Sequence, residues 1–175
     1  MRTAEESERK CLRLLSDMRR RGRCRAQDVR YEESRCTMNS DFVVAVHALV
    51  YLNHKADVVS SEALADNICT NAARVRKVMA PLKRAGFVET REGSVGGYRF
   101  AADPAKTDLK QVADALGVRF VQSSWRSGDT DMECLVASGM ADIMDDIFVD
   151  LNERCRERLA LTSVADIDAR IFGRV

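Results

Sequence analysis

VRKVMAPLKRAGFVETREGSVGGYRFA, running from Val75 to Ala101, decides how the rest of the chain is read. Val75, Val78, Met79 and Leu82 fall at i, i+3, i+4 and i+7, an apolar stripe of one helical face. Asn71, Arg74, Arg76, Lys77 and Lys83 cover the remaining surface. A basic helix is therefore expected over 72–85, capped by Thr70 or Asn71 and closed by Gly86. Pro81 lies well inside it, where the missing N–H and the ring clash cost about 3 kcal/mol, so a kink or an early end is expected there. Phe87–Arg91 and Tyr98–Ala101 then carry strand-forming residues, with Gly93, Gly96 and Gly97 supplying backbone freedom at the tip between them. A glycine-rich phosphate loop would need a following helix and a Lys-Ser/Thr pair, and here a strand follows instead.

Upstream, Ser60 and Ser61 offer an N-cap for a short helix over 62–67, with Ala63, Leu64 and Ile68 facing inward. Two helices joined by a short turn, the second basic and followed by a hairpin, form a winged helix-turn-helix, a DNA-reading unit. A further helix is expected from Phe42 to Asn53, capped by Ser40 or Asp41, with Phe42, Val43, Val46, Leu49 and Val50 as its apolar set. His47 in this helix has no ligand partner at i+3 or i+4 and reads as a packed histidine; Lys55–Val59 reads as a link. Downstream, Asp103-Pro104 breaks the chain, Thr107 and Asp108 cap a helix over 109–116, and Gly117 stops it. Residues 118–133 are polar and irregular, and a long helix is expected from Leu135 to about Leu161. Its Val136, Met140, Ile143, Ile147 and Leu151 recur at spacings of 4, 3, 4 and 4, a seam for a partner helix and hence a homodimer. The expected class is mostly α with a small β-hairpin wing. The expected division is a basic extension at 1–37, the winged domain at 38–117, a linker or sensor loop at 118–134, and a dimerisation helix with a tail at 135–175.

The 175 residues suffice for one ordinary domain, and 46% hydrophobic with 31% charged residues fits a soluble, cytoplasmic protein. No apolar run is long enough to span a membrane, and no secretion segment stands at the N-terminus. The net charge of +1 hides an uneven distribution. Residues 1–37 hold 11 Lys/Arg against 7 Asp/Glu, or +4; residues 74–99 hold seven basics against two acids, or +5; residues 104–175 hold 9 against 13, or −4. Local positive charge is what phosphate contact needs. The six cysteines (Cys11, Cys24, Cys36, Cys69, Cys134 and Cys155) include no CxxC pair and match no common zinc spacing. With two histidines and no Ser/His/Asp, metal or paired-carboxylate constellation, an enzyme is not expected. A winged module that binds another protein, regulating an enzyme complex, is the alternative to a DNA reader.

The stretches AVHALVYL, SSEALADNICTNAARVRKVMAPLKRAGFVE, GSVGGYRFAADP, TDLKQVADAL and ECLVASGMADIMDDIF together resemble the Rrf-two family of bacterial winged-helix regulators. That family includes the iron–sulphur cluster regulator, the nitric-oxide-sensing repressor and the cysteine-metabolism repressor. The resemblance covers Met38 to about Ile167. It implies a dimeric regulator, a repressor, bound to an inverted-repeat operator in double-stranded DNA. The second helix of each helix-turn-helix would enter the major groove and the wing the adjacent minor groove. Carried over by position, the groove-facing residues are Thr70, Asn71, Ala73, Arg74, Arg76 and Lys77, with Ser94, Val95 and Gly96 at the wing tip. Ser60 and Ser61 at the start of the preceding helix join them. Arg74 and Arg76 can read guanine and Asn71 adenine, or all three can hold phosphates. The family's Arg-Gly at the wing start is Glu92-Gly93 here, so Arg91 is expected to substitute.

Cluster-binding members place three cysteines between the helix after the wing and the long helix. Here Cys134 alone stands in that window, beside Gln122, Ser123, Ser124 and Gly128. One thiolate cannot hold a cluster that needs four protein ligands, so no iron–sulphur cluster and no other cofactor is expected. Cys69, just ahead of the basic helix, and Cys134, at the start of the long one, remain as candidate redox thiols. The effector itself is not legible.

Overall fold

The computed structural model describes residues 37–93, 96–131 and 133–173. Apart from Thr37, the N-terminal extension lies outside the described residues, as do Ser94 and Val95 of the wing tip. The elements in order are α1 (Thr37–Lys55), α2 (Ser61–Ile68), α3 (Ala72–Arg84), β1 (Val88–Arg91), β2 (Gly97–Phe100), α4 (Leu109–Leu116), α5 (Leu135–Ala160) and α6 (Val164–Phe172).

Helix α1 begins before the position expected, so Ser40 and Asp41 lie inside it and do not cap it. Its buried face also differs from the expected set. Ala45, Ala48, Leu49 and Leu52 are fully buried, whereas Val43 is 64% exposed. The two alanines belong to the core by burial, which a search for large apolar residues overlooks. In α2 the Ser60 hydroxyl accepts the Ala63 N–H at 3.1 Å, and Leu64 and Ala65, not Ala63, turn inward. In α3 the Asn71 Oδ1 accepts the Arg74 N–H at 2.8 Å, while Val75, Val78, Met79 and Leu82 form the buried stripe.

Pro81 does not end α3, which continues to Arg84. The proline falls in the last turn, half-buried beside Val78, Leu116 and Val118. The bonds after it are intact. The N–H of Ala85 reaches the Pro81 carbonyl, that of Gly86 the Lys83 carbonyl and that of Phe87 the Leu82 carbonyl, each at 3.0 Å. The last two bonds, with Gly86 at φ 79°, form the Schellman stop.

β1 and β2 pair antiparallel, with Val88 opposite Phe100, Glu89 opposite Arg99, Thr90 opposite Tyr98 and Arg91 opposite Gly97. The segment expected as a plain link contributes a third, one-residue edge. Val59 donates to the Tyr98 carbonyl at 2.9 Å and accepts from the Tyr98 N–H at 2.8 Å. A Cβ on Gly97 would stand 2.3 Å from the Val59 carbonyl oxygen, so this approach requires glycine.

Asp108 and Gln111 form a reciprocal capping box at the start of α4, and Gly117 closes it at φ 64°. The core that α1, α2 and α3 share with Val88, Val112 and Val164 sits behind this unit. Residues 118–134 carry no helix or strand among those described. No residue of α5 is buried in the single chain. It is tied to the rest by Asn152, whose Oδ1 accepts the N–H groups of Phe120 and Val121 at 2.8 and 3.1 Å, and by Arg156 on Asp114 at 3.0 Å.

The residues expected as a C-terminal tail instead form α6. Ser163 and Asp166 cap it reciprocally, Val164 is fully buried in the common core, and Phe172 stacks on His54 of α1 at 3.7 Å between ring centroids. His47 is exposed and not packed; its ring Nε2 lies 3.0 Å from the Asn67 Oδ1 across the α1–α2 contact.

Candidate nucleic-acid interface

Helices α2 and α3 meet through the turn at Cys69–Asn71. Cys69 sits there in the left-handed region at φ 57°, its backbone N–H returned to the end of α2. The turn leaves Thr70 half-buried and Asn71 and Ala73 exposed at the start of α3. The Asn71 Oδ1 accepts the cap N–H and keeps a second lone pair beyond it, while the NH₂ takes no part in the cap. Bidentate reading of adenine needs both groups.

The cations of α3 are placed differently from one another. Arg74 is only partly exposed and turns back onto α1. Its Nε and Nη2 donate to one Asp41 oxygen at 3.0 and 2.9 Å, and Nη2 also reaches the Ser40 hydroxyl at 2.5 Å. Lys77 shares Asp41 at 3.3 Å but stays largely in solvent. Arg76 points outward, with one guanidinium nitrogen on the Ser61 hydroxyl at 2.9 Å and on Glu62 at 3.1 Å. Lys83 reaches the Thr90 hydroxyl of the wing at 2.7 Å, which couples α3 to β1. On the wing, Arg91 is exposed, Gly96 is half-buried, and Arg99 pairs with Glu89 directly across the two strands. Asp41 and Glu62 are participants that sequence reasoning missed. Their partners are 33 and 14 residues away in the chain, beyond any local spacing rule. The Glu62 carboxyl is held below the usual carboxylate range, first by its own backbone N–H at the helix start, then by the Ser61 hydroxyl and Arg76.

The second feature is the row Val136, Met140, Ile143, Ile147 and Leu151 on α5, whose members are between 37% and 66% exposed. All five fall within one stripe at 100° per residue. Beside it, Ser123, Trp125 and Arg126 of the linker fold against Met144 and Phe148, with Arg126 on Asp142 and Asp145.

The thiols are separated. Cys134 is exposed at the N-cap of α5 and makes no capping hydrogen bond. Yet the N–H groups of Ala137 and Val136 push its thiol below the usual range, an effect of their proximity to the sulphur. Cys155 lies 21 residues along the same helix, about 31 Å away at 1.5 Å per residue. Cys69 is on the helix-turn-helix turn. Among the described residues no three His, Cys, Asp or Glu side chains converge as a metal site, and no helix is long and apolar enough to cross a membrane.

A family model for Rrf2, described as iron-dependent transcriptional regulators, matches residues 38–170. The candidate HTH-type transcriptional regulator YwnA of Bacillus subtilis (strain 168) is 27% identical over 135 residues, which span 77% of this chain and 99% of that protein. The fold is that of a candidate transcriptional regulator from Lactobacillus plantarum, with TM-score 0.65, 24% identity and coverage of 75% of this chain and 89% of that one. It is also that of CymR, the global cysteine regulator of B. subtilis, with TM-score 0.55, 16% identity and coverage of 75% and 95%.

Proposed function

The chain belongs to the Rrf2 family of transcriptional regulators, and on that premise we propose that it is a homodimeric repressor of an inverted-repeat operator. It is a DNA-binding regulator and not an enzyme. In the proposed complex α3 enters the major groove, the β1–β2 wing approaches the adjacent minor groove, and α5 pairs with α5 of a second copy. The observation that carries the reading is the outward face of α3. Arg76 and Lys77 stand exposed on it, and Lys83 links it to the wing.

The proposed contacts divide by their surroundings. Thr70, Asn71, Ala73, Arg76 and Lys77 face the groove, with Ser61 beneath the Arg76 guanidinium; Ser60 at the start of α2, with Arg91 and Gly96 of the wing and the tip positions Ser94 and Val95, approach the backbone. Arg74 holds α3 to α1 through Asp41, so its part is to set the angle of α3 more than to read a base. The bare row on α5 supports the dimer, because apolar side chains at regular helical spacing gain by burial against their own copy.

The family description names iron. The donor set here does not fit a cluster, since Cys69, Cys134 and Cys155 stand on three separated sites and no three His, Cys, Asp or Glu side chains converge among the described residues. We therefore propose release without a cluster. Cys134 is the candidate thiol for it, since its sulphur is exposed and shifted toward thiolate, with Cys69 second because modification there would disturb the turn that aims α3.

The test is binding of the full chain to short duplexes enriched from a random-sequence pool. Enrichment of an inverted repeat, with affinity falling steeply as salt rises and lost in the Arg76→Ala/Lys77→Ala variant, is the expected outcome. Unchanged affinity in that variant would remove α3 as the reading helix.

A further inference from the structure

One exposed group on the DNA face is held in a way that the proposed function does not require. Arg76 projects from α3, yet one end of its guanidinium is fixed to the neighbouring helix. The same Nη1 donates to the Ser61 hydroxyl at 2.9 Å and to a Glu62 oxygen at 3.1 Å. Ser61 in turn donates to the other Glu62 oxygen at 3.1 Å, which closes a three-residue ring across α2 and α3. Both Nη1 hydrogens are thereby directed at the protein. Nε and Nη2, which form the other edge of the planar fork, make no hydrogen bond among the described residues. An arginine edge with two parallel N–H groups matches the O6 and N7 acceptors of guanine.

We propose that Glu62 is a positioning residue for base reading: with Ser61 it anchors one end of Arg76 to α2, so that the opposite edge meets a guanine and not a backbone phosphate. The inference rests on the DNA reading of α3. Two physical effects act together. The anchor removes the rotamers in which a long, unattached arginine would collapse onto the nearest phosphate. The carboxylate also makes the immediate surroundings of Arg76 unfavourable for a phosphate, because like charges repel. A negative side chain is tolerated at this point because it lies in the first turn of α2, where the helix dipole favours it. Glu62 thus lowers general affinity and raises discrimination.

The experiment uses the full chain and a duplex enriched from a random pool, together with the same duplex carrying A·T for G·C at each half-site position in turn, and a scrambled duplex. In Arg76→Ala, discrimination at one G·C pair is expected to fall by about tenfold or more. In Glu62→Ala, discrimination at that same pair is expected to fall about fivefold, the population advantage of an exposed ion pair. Affinity for the scrambled duplex rises, and the slope of log K against log salt steepens by about 0.9 as Arg76 turns to phosphate. Glu62→Gln, which keeps an acceptor without the charge, falls between. Melting temperatures that match the wild type separate positioning from stability. If Arg76→Ala loses discrimination while Glu62→Ala changes neither the ratio nor the salt slope, the proposal is overturned. Uniform loss of affinity for every duplex in Arg76→Ala overturns it too, by making Arg76 a phosphate contact. Failure of the wild-type chain to enrich any duplex would sink the DNA reading itself, and the inference with it.

Discussion

Replacing Ile143 by Asp introduces a charge in the middle of the proposed α5 seam. Ile143 is 58% exposed in the single chain, so a little over half of its side chain remains to be buried by a partner. Full burial of an isoleucine contributes about 1.5–3 kcal/mol, which makes the outstanding part about 1–1.5 kcal/mol. Two-fold symmetry counts it twice, for about 2–3 kcal/mol, before any cost of desolvating two facing carboxylates. A loss of about 3 kcal/mol weakens dimerisation on the order of 100-fold. Sedimentation equilibrium on the purified chain reads this directly, and circular dichroism reports whether the fold survives. It should, because Ile143 belongs neither to the core nor to the hydrophobic residues packed against it. Val149→Asp is the control: Val149 is 70% exposed on the same helix but lies about 200° around it from Ile147. Equal association of Ile143→Asp and Val149→Asp, or a wild-type dimer constant in both, would refute the α5 seam.

Three other outcomes are expected. Gly97→Ala forces a Cβ to within 2.3 Å of the Val59 carbonyl oxygen, so the wing edge must part; a loss of about 1–3 kcal/mol, or roughly 2–12 °C in Tm by calorimetry, is expected. Cys134 should keep reacting with iodoacetamide to lower pH than free cysteine does, because a thiol held below its usual range stays thiolate as protons are added; peptide mapping of the alkylated chain checks it. Protein purified without oxygen should carry no stoichiometric iron and no visible absorbance band, and addition of a chelator should leave DNA affinity unchanged.

The parts of the fold that sequence reveals are those set by neighbouring residues. Asn71, Asp108, Gly86 and Gly117 mark helix ends because a cap or a left-handed stop depends on a few adjacent groups, and each stands where the chain predicts. The α5 row is legible for the same reason, as a simple period. Contacts between distant residues are not. Ser40 and Asp41 read as caps because their hydroxyl and carboxylate suit that task, but α1 begins earlier and their partner is Arg74. Val59 pairs with Tyr98 through a single backbone edge, too short for any strand pattern. Helix α6 has only Val164 fully buried, and its docking depends on His54 and on the carbonyl of Thr107, which no local pattern indicates. Within the candidate site, sequence finds the cations but not their state. Arg74, Arg76 and Lys77 look equivalent along the chain, and the carboxylates that distinguish them come from α1 and α2.

The central claim, that two copies grip one operator through α3 and the wing, is tested most directly by the stoichiometry of the bound complex. The measurement is sedimentation of the full chain on an enriched duplex, with a hydroxyl-radical footprint of the same complex. Two chains per duplex are predicted, with two symmetric protected half-sites separated by about one helical turn. One chain per duplex, or a single protected patch without two-fold symmetry, would contradict the account.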